Sequence, residues 1–197
     1  MAIVTVDMDK VQAFADIQGF HDWMVENHAS ETEVWIKLHK KASGLPSITA
    51  KEAIDVVLCW GWIDAIRKGF DQTSFLQRYT PRGKNSVWSK INVDNVGRLI
   101  AEGRMTEHGL KHVEAAKADG RWDKAYRISG AETPVDLLAA IEVDPMAKAT
   151  FDRLSAQNRF ALIFRLNNLK TEAGRQKRIV AFVEMLKRGE TIHPQKN

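Results

Sequence analysis

Residues Thr49–Thr80 read TAKEAIDVVLCWGWIDAIRKGFDQTSFLQRYT, and their periodicity changes partway along. Thr49 and Glu52 are spaced as a capping box, so a helix opens at "TAKE". Ala53, Ile54, Val57, Leu58 and Gly61 then form one stripe, and Val56, Cys59 and Trp60 add apolar surface on the other side. A helix that is apolar nearly all round is buried. After Gly61 the helical period stops. "WIDAIRKGF" reads as a short strand and "TSFLQRYT" as a second, with Phe75, Gln77 and Tyr79 on one face. A buried helix running straight into two strands joined by a short turn predicts an α+β fold.

The flanking sequence extends this plan in both directions. Upstream, Asp16 is an N-cap for a helix carrying Phe20, Trp23 and Met24 and ending near Asn27. "EVWIKLHKK" follows as a half-buried strand, with Val34, Ile36 and Leu38 inward and Trp35, Lys37 and His39 outward. "ASGLPS" is a turn. Downstream, "NVDNVGRLIAEG" predicts a helix with Val93, Val96 and Ile100 on its inner face, and Thr106 to Gly120 predicts another. "SGAETP", Ser129 to Pro134, is the best linker. Asp144-Pro145, Ser155 and Thr171 open three further helices. The second of these carries Phe160, Ile163 and Phe164. The third turns Ile179, Phe182, Val183 and Leu186 inward, and the tail HPQKN is expected to fray. The expected architecture is a small, mainly antiparallel sheet packed with helices over residues 1–130, followed by a compact helical module over residues 131–197.

The chain's 197 residues are enough for one cored domain with an appended module. No apolar run approaches the ~20 residues that cross a bilayer. The N-terminus, MAIVTVDMDKVQ, has no basic leader region and its apolar stretch is broken by Asp7, so a cytoplasmic location is expected. Cys59 is the single cysteine, which excludes an internal disulfide and a cysteine-rich metal site. It is expected to be buried.

The candidate site is the continuation "PRGKNSVWSKIN", residues 81–92, together with the strands before it. From Arg67 to Lys90 there are six cations and one acid. Trp60, Trp62 and Trp88 offer stacking walls. Asp64, Arg67, Tyr79, Arg82, Ser86, Ser89 and Asn92 are residue types that fix a small polar ligand. Arginine suits a carboxylate or phosphate because its planar fork donates two parallel hydrogen bonds. A helix start near Asn92 would add backbone N–H groups that favour an anion. The expectation is one anion-binding pocket where Arg67 and Arg82 converge, with Arg82 on the surface.

"LCWGWIDAIRK", "RYTPRGKNSVWSKIN" and "RLIAEGRMTEHGLKHVEAAKADGRWDKAY" resemble the YdeI/OmpD-associated family of bacterial proteins. Cys59, Gly61, Trp62, Ile63 and Asp64 match a first family motif. Thr80, Pro81, Arg82, Ser86, Trp88, Ser89 and Asn92 match a second. Gly103-Arg104-Met105-Thr106 and Asp119-Gly120-Arg121-Trp122 match two more. The helical end from Pro134 is similar to the family's C-terminal module, and the resemblance covers the chain beyond about Asp16. Trp60 departs from a position where the family often carries another aromatic residue. The family's label, bacteriocin protection, implies a role in stress or antimicrobial tolerance and brings no catalytic residues.

Other constellations are weaker. His108 and His112 sit at i and i+4, a zinc-competent spacing, but nothing completes a motif, so no metal and no cofactor are expected. Lys170, Arg175, Lys177, Arg178, Lys187 and Arg188 form a basic cluster, read first as a solvated helix face and second as a nucleic-acid surface. The leading functional reading is a non-enzymatic protein that binds a small anionic ligand or an acidic partner segment. Its first alternative is an enzyme acting on a phosphorylated or carboxylated small molecule with Asp64 as acid or base. The second is nucleic-acid binding through the C-terminal helices. Oligomeric state is not legible.

Overall fold

The computed structural model describes residues 5–126 and 132–195. The chain divides into two compact units, Met1–Tyr126 and Arg127–Asn197. The class is α+β. The boundary expected between residues 130 and 131, and the first half of the "SGAETP" linker, lie outside the described residues.

The first unit contains β1 (Val11–Gln12), α1 (Ile17–Asn27), β2 (Val34–His39), α2 (Ala50–Cys59), β3 (Trp62–Gly69), β4 (Ser74–Pro81), α3 (Lys90–Ala101) and α4 (Glu107–Ala118). The sheet order is β1-β2-β4-β3, antiparallel except for the short β1–β2 edge. Val34, Ile36 and Leu38 pair with Tyr79, Gln77 and Phe75. These residues and Trp62 share the face that packs with Phe20, Met24, Ala53, Val56 and Val57 from α1 and α2. Trp35, expected to point outward, is also buried. Its indole donates to Glu33 Oε1, and the Lys68 ammonium lies 5.9 Å from its ring, so polar side chains cover what alternation alone would leave exposed.

The capping box on α2 forms with both of its hydrogen bonds. One side of this helix closes the sheet core. Its other end, Leu58 and Cys59, packs with Trp88, Val93, Val96, Leu99, Val113 and Ala116 from α3 and α4. The central helix is therefore apolar nearly all round because it serves two cores. Its buried acid, Asp55, accepts from Arg98 of α3 at 2.6 Å. On α3 the inner position is Leu99, whereas Ile100 is exposed. The buried stripe runs Asn92, Val93, Val96, Leu99; Ile100 keeps the i+4 spacing from Val96 but lies in the last turn of α3 and is left exposed.

Cys59 is 3% exposed and Trp62 is 2% exposed, as expected. Burial pushes the Cys59 thiol up to about 11. Because the thiolate is the reactive form, native Cys59 is expected to react with a maleimide at pH 8 at least a hundredfold more slowly than the urea-unfolded chain. Labelling at the unfolded rate, followed by mass spectrometry, would contradict this burial.

The second unit contains α5 (Val135–Glu142), α6 (Pro145–Asp152), α7 (Ala156–Asn167) and α8 (Glu172–Lys187). Helix α5 had no start signal of its own in the sequence. Asp144, Ser155 and Thr171 cap the other three as their spacing predicts. The core joins Leu137, Ile141, Ala147, Phe151, Leu162, Leu166, Ile179, Phe182 and Leu186. On α7 the inward stripe is Leu162 and Leu166, while Phe160 and Phe164 are half-buried. The tail is pinned through Gln195: buried Asn158 bonds His193 O and Gln195 Oε1, and Gln195 Nε2 bonds Arg153 O. Lys196 and Asn197 lie outside the described residues.

Candidate functional site

The first unit carries a cleft of about 510 Å³, within the ~300–1,000 Å³ typical of small-molecule sites. Three elements converge on it. The end of α1 brings His28, the junction from α2 to β3 brings Trp60, Gly61 and Trp62, and α4 brings His108, Lys111 and His112. Pro81 and Lys84 of the loop after β4, and Arg121 after α4, complete the rim.

The junction fits because residue 61 is glycine. Its φ of +73° is strained for any side chain, and a Cβ there would meet His112 Cδ2 at 2.5 Å. The close approach of α4 fits because residue 109 is also glycine. Thr106 Oγ1 and Thr106 N both donate to Cys59 O, at 2.5 and 3.2 Å, fixing the start of α4 on the end of α2.

One wall of the cleft is made of rings. Trp60 and His108 are near-parallel, 22° apart with centroids 5.7 Å apart, and His28 lies 4.5 Å from Trp60 and 4.2 Å from His108. His28 Nδ1 donates to the Met24 carbonyl oxygen at 2.9 Å, since that oxygen can only accept. The lining also carries cations, Lys84, Lys111 and Arg121, against one acid among its described residues, Asp119, whose two oxygens both accept from Arg121 Nε at 2.8–2.9 Å. Burial and the neighbouring cations Arg82, Lys111 and Arg121 hold the His112 imidazole below its usual range. No group of three or more His, Cys, Asp or Glu is placed to hold a metal ion among the described residues.

Of the nine residues expected to form a pocket, only Trp62 lines the cleft, and it doubles as core, its indole donating to His28 O at 3.3 Å. Arg82 is not a surface arginine. It is 5% exposed, with its guanidinium carbon 3.5 Å from the Trp88 ring centroid. Nη1 donates to Val87 O at 3.4 Å, while Nε and Nη2 bond no protein atom among the described residues. Desolvation pushes its pKa down to about 10, against a smaller opposing pull from Asp64. It sits behind the cleft, near enough to His112 to disfavour its protonation. Trp88 is 2% exposed beneath it. Ser86 takes part through its carbonyl, which accepts from Arg121 Nη1 at 2.8 Å.

The others lie elsewhere. Arg67 does not join Arg82. Its Nε donates to Gln77 at 3.0 Å and its guanidinium covers Phe75 at 4.5 Å, both well back along β4. A bulge between Asp64 and Arg67 puts these two on the Tyr79–Gln77 face. Asp64 is exposed and does not line the cleft. Tyr79 is fully buried against Phe20. The start of α3 is already satisfied: Ser89 Oγ accepts from Asn92 N, and Lys90 N donates to Tyr126 O. In the C-terminal basic cluster, Arg175 forks Asp136, Lys187 contacts Asp144 and Glu184, and Arg188 bonds Glu190.

Residues 12–112 match a family model described as a domain of unknown function, DUF8412, and residues 130–189 match one described as bacteriocin-protection, YdeI or OmpD-associated. The chain belongs to the DUF8412 family and carries a YdeI/OmpD-associated domain. The cleft lies mainly in the DUF8412 part, and the description that names an activity attaches to the helical unit. No curated protein and no solved structure matches the chain.

Proposed function

We propose that this DUF8412 protein binds a small anionic ligand in the cleft between α1, α4 and the Trp60–Trp62 junction, without turning it over. One observation carries the reading: Lys111, Arg121 and the enclosed Arg82 gather round His112, Lys84 lines the same cleft, and the only acid among its described lining residues is bonded to Arg121. Such a set raises the local potential and favours a carboxylate or phosphate. The alternative with Asp64 as acid or base draws no support from its position outside the cleft. A cytoplasmic place of action and a part in bacteriocin or stress tolerance, following the description of the second domain, belong to the same proposal.

Calorimetric titration with inorganic phosphate tests it. Lys84 and Lys111 are exposed, so reversing their charge leaves the core alone. A hydrogen bond to a charged group contributes ~1.5–3 kcal/mol, so Lys111→Glu should weaken binding about tenfold or more. Absence of phosphate binding to the unaltered protein at millimolar concentrations would count against the proposal.

A further inference from the structure

From the same cleft, and resting on the reading just given, we infer that the ligand is an aromatic anion: a flat ring against Trp60 and His108, with its carboxylate or phosphate toward Lys84, Lys111 and Arg121. The cleft combines two chemistries, rings and cations. A bare inorganic anion is best held by a close-fitting ring of donors, such as a nest of backbone N–H groups. Here the lining offers side-chain cations together with rings, and the volume of about 510 Å³ far exceeds an inorganic ion. The remaining surface is the ring wall. Trp60 is half-buried and His108 exposed, and their planes are within 22° of each other. His28 abuts both rings and is tied to Met24 O.

A cluster of rings held by contact with one another recognises another flat π-system by stacking, and stacking tolerates variation in the ring itself. The rim cations then select for charge. Gly61 lets the His112 imidazole pack directly on the junction, because a Cβ there would overlap it. Neither chemistry alone explains the other: a purely apolar ligand gains nothing from the cations, and a small ion gains nothing from the rings.

The test compares matched probes by calorimetry: phenyl phosphate with inorganic phosphate, benzoate with acetate, and phenol as the uncharged ring. Each ring-bearing anion is expected to bind at least tenfold tighter than its ringless partner and tenfold tighter than phenol. His108→Ala, at an exposed position, should remove most of the ring advantage while inorganic phosphate binds as before. Lys111→Glu should weaken every anion. An advantage below about threefold for the ring, or one that survives His108→Ala, overturns the inference and leaves anion binding standing. Phenol binding as tightly as benzoate overturns it as well. If no anion binds, the underlying reading fails together with it.

Discussion

Gly109→Ala should destabilise the first unit by about 3 kcal/mol, lowering its melting temperature by on the order of 10 °C. Helix propensity alone predicts the reverse, since alanine is favoured over glycine inside a helix by about 1 kcal/mol. The sign is set by what the new methyl group would meet. At Gly109 a Cβ would lie 2.8 Å from Leu58 O and from the Cys59 carbonyl carbon, and closer still to Cys59 O. These are backbone atoms at the end of a helix buried between two cores, so they cannot rotate aside. Helix α4 must move instead, and that loosens both hydrogen bonds from Thr106 to Cys59 O. Gly97, on the exposed side of α3, has nothing within 4 Å of a built Cβ. Gly97→Ala therefore follows propensity and should stabilise by about 0.5–1 kcal/mol. Urea unfolding of both variants checks the pair. Gly109→Ala as stable as the parent would mean that α4 does not rest on the Cys59 carbonyl.

Local sequence carried the elements well and their assembly less well. Capping residues are short-range signals, so Asp16, Thr49, Thr106, Asp144, Ser155 and Thr171 each mark a helix start that forms, whereas Ser89, read as a ligand group, turns out to cap α3. The period-two pattern of β2 and β4 placed their core faces. It could not place Arg67, because one bulge residue shifts the face of everything after it. Nor could it show that Arg82 is enclosed. The chain returns at Tyr126 to pair beside Ser89, with Tyr126 N bonding Trp88 O, and that contact spans more than thirty residues. The cleft left three traces in the sequence: Trp60 and Trp62 as stacking rings, and the i, i+4 spacing of His108 and His112. Such spacing says that two side chains share a helix face. It does not say whether a metal, a ring or another element lies opposite, and here the answer comes from His28 and Gly61, on segments far away in sequence.

Arg82→Met should raise stability, by about 1 kcal/mol, while weakening anion binding about tenfold. Most substitutions of a buried residue do the opposite to stability. Arg82 differs because, among the described residues, its charge is enclosed without a carboxylate within salt-bridge distance and two of its nitrogens bond no protein atom. The effective penalty for burying one ion is several kcal/mol. Against it stand the contact with the Trp88 ring, ~1–2 kcal/mol, and a long bond to Val87 O. Methionine keeps the length and the packing on Trp88 and removes the penalty. Arg82→Ala keeps neither and should lose stability through the cavity it leaves. Binding depends on the charge acting across a low-dielectric layer. A unit charge ~10 Å away at an effective dielectric constant of about 20 contributes ~1.7 kcal/mol, or somewhat more than tenfold. A residue that costs stability and supports binding has the energetic profile of a functional group, because activity commonly rests on an environment the fold would otherwise improve. Thermal unfolding and phosphate titration on the same two variants separate the possibilities. If Arg82→Met unfolds at a lower temperature than the parent, the guanidinium serves the fold and not the cleft.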